Sequence, residues 1–147
     1  MPYDKISKNT HCDCLTDAHE DLTNFFARSV KRAPSLKNSD FKNHIERNKI
    51  PSDESKCEEV CGYNGVSIEL WNDSSSSLLL EKYKYSAAIS PQFKKNLCII
   101  KFKANKGLVK HTPNQIVYNE YHYDFYKEDS FTVEDVELID MIPLTIV

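Results

Sequence analysis

The sequence predicts an α+β protein, with short helices in the N-terminal half packed on an antiparallel sheet formed mainly by residues 65–147. Three observations carry this. Helix-capping residues and four-residue apolar spacings gather before Gly62. Alternating β-branched and aromatic runs dominate after Gly65. Four cysteines in two close pairs, one near the N-terminus and one just before the sheet, offer a structural zinc site that would clamp the N-terminal tail onto the helical half.

Residues 1–14 form a polar lead-in ending in His11-Cys12-Asp13-Cys14. Thr16, followed by Asp17, Glu20 and Asp21, carries a helix-opening signal with acids in the first turn. Residues 24–31 lean to a strand, because Phe26, Arg28 and Val30 alternate before Pro34. Ser39 or Asp40 is expected to cap a helix to about Asn48, with Phe41 and Ile45 on one face. Ser52 is expected to cap a second, which puts Cys57 and Cys61 one turn apart and Gly62 at its C-terminal end. Val66, Ile68 and Leu70 alternate with Ser67, Glu69 and Trp71 in a half-buried strand. A serine loop and a short helix over Leu78–Tyr85 follow. Residues 96–103 read as a strand, and Asn105-Lys106-Gly107 as a hairpin turn into Leu108–His111. Ile116–Tyr126 reads as one strand or two. Val136–Val147 supplies the last strand, with Pro143 marking an edge or a bend.

At 147 residues the chain is expected to form one domain, 1–147, with 1–14 clamped by the cysteine site. Hydrophobic residues are 40% and charged residues 28%, a composition that folds. Three glycines leave little material for a Gly-rich phosphate loop. A net charge of −3 gives no basic footprint for nucleic acid or anionic membrane, although Lys94, Lys95, Lys101, Lys103, Lys106 and Lys110 cluster in sequence. No secretory signal or membrane-length apolar run is visible, so a cytoplasmic protein with reduced thiols is expected.

Zinc takes four soft ligands in a tetrahedron. Cys12 and Cys14 can point two sulfurs at one ion from an extended loop, and Cys57 and Cys61 two more from one helix face. His11, His19 and His44 could substitute or support. Four thiolates leave no open position, so the zinc would be structural. Cys98, inside Leu97-Cys-Ile-Ile100, reads as core.

No nucleophile–base motif is legible in the sequence. One arrangement suggests catalysis: Arg28 on an early strand, Ser67 on the next and Glu120 on a late one. This order resembles the Arg–Ser–Glu series of the arginine/serine/glutamate class of ADP-ribosyltransferases, small α+β enzymes that use NAD. The resemblance implies that Arg28 binds dinucleotide phosphates, Ser67 supports the nicotinamide ribose and Glu120 stabilises the oxocarbenium-like centre. Ser67 is followed by Ile68-Glu69 rather than by the Thr-Ser of that series.

The tract Tyr118–Tyr126 puts Tyr121, Tyr123 and Phe125 on one face and Glu120, His122, Asp124 and Tyr126 on the other, a pattern that suits a sheet strand or an interface. The leading reading is a zinc-stabilised module that binds a protein partner, and the alternative is a small nucleotide-dependent transferase or hydrolase.

Overall fold

The computed structural model describes residues 2–31, 34–114 and 119–145. Its strands are β1 (Phe25–Val30), β2 (Val66–Trp71), β3 (Asn96–Phe102), β4 (Gly107–His111), β5 (His122–Lys127) and β6 (Val136–Pro143). Its α-helices are α1 (Asp4–Asn9), α2 (Cys57–Asn64) and α3 (Ser76–Ile89). The strands form one sheet in the order β4-β5-β2-β1-β3-β6, and every described pairing is antiparallel. The α+β expectation holds, with the sheet drawing β1 from the first half of the chain.

The hairpin expected between β3 and β4 is not formed. The two strands lie four places apart, β3 between β1 and β6, β4 beside β5. In a flat sheet four places span about 19 Å. The link from Phe102 to Gly107 reaches at most about 18 Å when fully extended. The sheet therefore curls. Consistent with this, the Phe102 ring of β3 stacks on Phe125 of β5 at 4.3 Å although β1 and β2 lie between them in the ladder.

The concave face holds the main core: Phe26, Val30, Val66, Ile68, Cys98, Ile100, Phe102, Val109 and Phe125, closed by Phe41 and Val136. These are the alternate positions of each strand, as period-two patterning requires. Cys98 is fully buried among them, as its sequence neighbours predict. The convex face is covered in two separate patches. Helix α3 packs Leu80, Tyr83 and Ala87 against Ala27, Leu97 and Ile99. The N-terminal segment packs Ile6, Cys14 and Leu15 around Tyr126. Between these covers the sheet presents Ser67, Glu69, His122 and Asp124 on neighbouring positions of β2 and β5.

Several local expectations shift. The helix expected over 39–48 shrinks to one 3-10 turn, Asn38–Phe41. Asn43 stops it: its Oδ1 accepts the Glu46 amide at 2.8 Å, while its Nδ2 donates to the Asn64 carbonyl at 3.1 Å. No helix opens at Thr16, where turns lead instead to an isolated bridge between His19 and Val109 on the β4 edge. Ser52 caps nothing; its hydroxyl donates to the Glu59 carboxylate, and α2 begins at Cys57. Gly62 lies inside α2, which ends at Asn64. Helix α3 runs longer than expected because Ser75 organises its start, donating to the Leu70 carbonyl at 2.6 Å and accepting the Asn72 amide at 3.0 Å. Strand β6 is an outer strand ended by Pro143, as the proline predicts. Residues 116–118, the start of the strand expected over Ile116–Tyr126, and residues 146–147, the end of the last predicted strand, lie outside the described residues.

Gly107 is fixed by close approach rather than by φ. A Cβ there would stand 2.3 Å from Phe125 Cε1 and 2.8 Å from the Tyr126 carbonyl. Phe125 is 2% exposed and stacked on Phe102, so the ring has nowhere to move. Gly107→Ala is expected to cost about 1–3 kcal/mol by overpacking. Urea denaturation checks this, and a midpoint equal to the parent's would refute it.

Candidate functional site

The four cysteines do meet, as the clamp reading requires, but as two disulfides, Cys12–Cys57 and Cys14–Cys61. This corrects the expectation of reduced thiols for four of the five. A disulfide sulfur is not a thiolate, so the paired state excludes a zinc held by Cys12, Cys14, Cys57 and Cys61 in the same molecule. Among the described residues no group of three or more His, Cys, Asp or Glu is placed to hold a metal ion. The pairing still does the mechanical work expected of the site. It pins the N-terminal segment to α2, with Cys14 2% exposed beside Tyr126. The Tyr126 hydroxyl donates to the Cys61 carbonyl at 3.2 Å, which locks α2 to β5.

Helix α2 forms one wall of a hollow of about 970 Å³, whose floor is the uncovered strip of the convex face. Its opposite wall is the end of β4 and the residues after it, Lys110 to Asn114. Tight packing sets the join between wall and floor. Gly65 follows α2, and a Cβ there would stand 2.8 Å from Asp124 Cβ. The chain can turn from α2 into β2 at this depth only with glycine.

A directional hydrogen-bond chain lies on the floor. His122 Nε2 is 3.1 Å from Ser67 Oγ, and His122 Nδ1 is 3.1 Å from the Thr112 carbonyl and 2.8 Å from Thr112 Oγ1. Burial lowers the His122 pKa, which favours neutral imidazole. A carbonyl only accepts, so Nδ1 carries the proton and Nε2 is free to accept from the Ser67 hydroxyl. Thr112 in turn hydrogen-bonds Asp124. Burial pushes the Asp124 carboxyl up to about 7, against the opposing pull of Thr112 and Lys110. An accessible hydroxyl, a neutral imidazole, a threonine and a carboxyl that titrates near neutrality thus follow one another.

Glu69, next along β2, is not part of this chain. It is buried, and its carboxylate accepts Lys82 Nζ at 2.8 Å and the Tyr83 hydroxyl at 2.5 Å, tying α3 to the sheet.

The structure brings Arg28 and Ser67 together but in different roles from those the resemblance implies. Arg28 is 8% exposed, and its guanidinium donates to three backbone carbonyls: Asp40 and Ser67 at 2.6 Å each, and Lys42 at 3.5 Å. It props β1 and β2 apart just past their last paired residues, Ala27 and Glu69. The Ser67 hydroxyl points to His122 instead. Glu120 sits in the turn before β5 and lines a separate hollow of about 260 Å³ with Leu78 and Lys82. Its backbone carbonyl is 2.6 Å from His111 Nε2.

The aromatic tract is an inner strand rather than a free face. Strand β5 lies between β4 and β2, with Tyr123 and Phe125 in the core and Tyr126 under the N-terminal segment. The lysines of 94–110 do not form one patch: Lys95 donates to the Ala87 and Ser90 carbonyls at the end of α3, while Lys110 lines the large hollow. No described helix is long and apolar enough to cross a membrane.

The pairing of Ser67 with His122 was outside sequence reasoning. Its only signal was that each residue occupies the polar phase of its own alternating strand.

The fold and hollow define a class: a small antiparallel α+β domain with a polar cleft on the convex face of its sheet. Compared with known proteins, the chain matches no family model, no curated protein and no solved structure.

Proposed function

We propose that the protein is a binding module that takes a polar segment of a protein partner in the cleft between α2 and the end of β4. The observation that carries this reading is the cleft itself: an open hollow of about 970 Å³ whose wall is cross-linked to the N-terminal segment. Its lining mixes Lys56, Lys110 and His111 with Asp13, Glu58 and Asn119, which suits a partner of mixed polarity. A rigid wall lowers the ordering cost of binding.

Zinc belongs to the same proposal. The four cysteines already converge in pairs, with Cα separations of 5.5 and 5.3 Å. Once reduced, the two pairs would offer four thiolates to a structural zinc. The clamp would then persist in a reducing compartment, held by metal instead of covalent bonds. Reduced, chelator-free protein is expected to carry about one zinc per chain by elemental mass spectrometry. Cys14→Ser and Cys57→Ser should each lose it, and metal-free reduced protein would remove this part.

A photo-crosslinking amino acid at position 63, on the cleft wall, tests the binding reading. It should capture a defined partner that a crosslinker at Glu137 on β6 does not. Equal capture from both positions, or none from position 63, would discard it.

The Ser67–His122 chain favours a second reading, a small transferase or hydrolase in which Ser67 is activated by His122. The nucleotide-dependent, NAD-using version would add Arg28 and Glu120, but of the three only Ser67 lines the cleft, with Arg28 buried against backbone carbonyls and Glu120 in a separate hollow. Turnover of an activated ester or of NAD, abolished in Ser67→Ala, would support it. Turnover that survives in that variant would sink it.

A further inference from the structure

A smaller hollow of about 270 Å³ opens where β1 and β2 diverge, and it adjoins the large cleft, sharing His44 and Ser67 with it. Its basic groups come from three separate stretches of chain. Arg28 rises from β1, Lys42, His44 and Arg47 from the loop before α2, and Lys94 from the loop after α3. No carboxylate among the described residues lines it. Asp40, outside the lining, is the acid that acts on both Lys94 and Arg28, and its Oδ2 also accepts the Lys37 amide at 2.8 Å.

Two further observations mark this as more than a solvated basic surface. Arg28 is almost wholly buried and satisfied only by neutral carbonyls, so its charge is fixed behind the hollow without a bonded counter-ion. The Nδ1 of His44 is buried and has no hydrogen-bond partner among the described residues. Buried polar atoms left unpaired are rare and point to a missing partner. The cations also act on one another. Lys94 is held down to about 8, first by burial and then by Arg28 and Arg47, and His44 is lowered by burial and by Lys49, Arg47, Arg28 and Lys94. An anion would relieve both effects.

We propose that this hollow is a binding site for a phosphate-class oxyanion, with Arg47, Lys94 and His44 contacting the anion and Arg28 supplying a fixed charge behind them. The chemistry selects phosphate: several donors converge from different directions on a small space, as a tetrahedral polyanion requires. A volume of about 270 Å³ has room for a phosphate or a pyrophosphate. The ligand is a free phosphate or the phosphate of a small-molecule ester. This inference does not rest on the protein-partner reading: Arg47 and Lys94 line only the smaller hollow, although His44 lines both and packs on Tyr63 of the α2 wall.

Titration with inorganic pyrophosphate at low ionic strength, followed by ¹H–¹⁵N NMR, tests it. Saturable shifts are expected in residues 42–47 and 92–94 and at the His44 imidazole nitrogens. Arg47→Gln and Lys94→Gln should each weaken binding about tenfold, the scale of losing a charge-assisted contact. Lys103→Gln, on the loop after β3, should leave it unchanged. Arg47 and Lys94 lie on different loops, so misfolding of one variant leaves the other as the test. Tighter binding of a nucleoside diphosphate than of pyrophosphate would assign the anion to a small-molecule ester, and equal binding to the free ion. Absence of saturation, shifts elsewhere, or an equal loss in Lys103→Gln would overturn the site.

Discussion

Removing one disulfide by replacing both of its cysteines with alanine is expected to cost about 2 kcal/mol, and removing both about 6 kcal/mol. The asymmetry follows from topology. Cys12–Cys57 and Cys14–Cys61 span 45 and 47 residues and close nearly the same loop. Whichever bond remains still closes that loop in the unfolded chain. The first removal therefore releases only the small ring between the two cross-links, and the second releases the long one, worth about 4 kcal/mol in chain entropy. Against a total stability on the order of 10 kcal/mol, the double loss is large.

The two bonds are not equivalent in packing. Cys14 is 2% exposed in the cluster with Ile6 and Tyr126, whereas Cys12 is half-exposed. Cys14→Ala with Cys61→Ala should thus cost more than Cys12→Ala with Cys57→Ala, by the added loss of a buried sulfur contact. Urea denaturation of the two double variants and the quadruple variant under oxidising conditions measures this. Equal and strictly additive losses would show that the shared-loop account is wrong. The consequence for function is local. The core on the concave face contains none of these cysteines, so the loss should fall on the N-terminal segment and α2, and through them on the wall of the cleft.

What could be read in advance was whatever depends on a strand's own alternation. Strands β1, β2 and β3 fall close to where Phe26/Val30, Val66/Ile68 and the Leu97–Ile100 run place them. The convergence of the two cysteine pairs was legible because each pair is local. Their chemistry was not, since the same spacing serves a tetrahedral metal and two disulfides. Strand order was hidden for a different reason. Asn105-Lys106-Gly107 has the local character of a hairpin, but Gly107 is needed to admit the Phe125 ring, a contact that exists only once β4 lies beside β5. The helix expected at 39–48 was lost to Asn43, whose side chain is claimed by Asn64, 21 residues away. The site was hidden most completely. Ser67, His122, Thr112 and Asp124 meet only through two registers: β2–β5 places Ser67 opposite Asp124 and Glu69 opposite His122, and β4–β5 brings Thr112 beside His122.

Asp124→Asn is expected to stabilise the protein at pH 8 and to leave it nearly unchanged at pH 4. Asp124 is 4% exposed, and burial pushes its folded-state pKa from 3.8 to about 7. Between those values the folded carboxyl keeps a proton that the unfolded one has released. Folding then takes up a proton, and stability falls as pH rises through that window. At about 1.4 kcal/mol per pH unit, the ionised carboxylate costs on the order of a few kcal/mol at pH 8, a net cost in which the pull of Lys110 is already included. Asparagine has the same shape, so the contact with Gly65 is kept while the charge is removed. His122 acts in the opposite sense: its pKa is lowered by burial, so its contribution is lost as pH falls below about 6.5. The difference between variant and parent cancels that term and isolates the carboxyl. Chemical denaturation at pH 4, 6 and 8 measures it, and a difference that does not change with pH would show that Asp124 is unshifted. A shift of this size means that the fold tolerates an unfavourable charge on the cleft floor, one hydrogen bond from Thr112 and two from His122. A carboxyl shifted by burial on the floor of a cleft has the character of a functional group. The same titration therefore also predicts that affinity in the cleft changes between pH 6 and 8 in the parent and much less in Asp124→Asn.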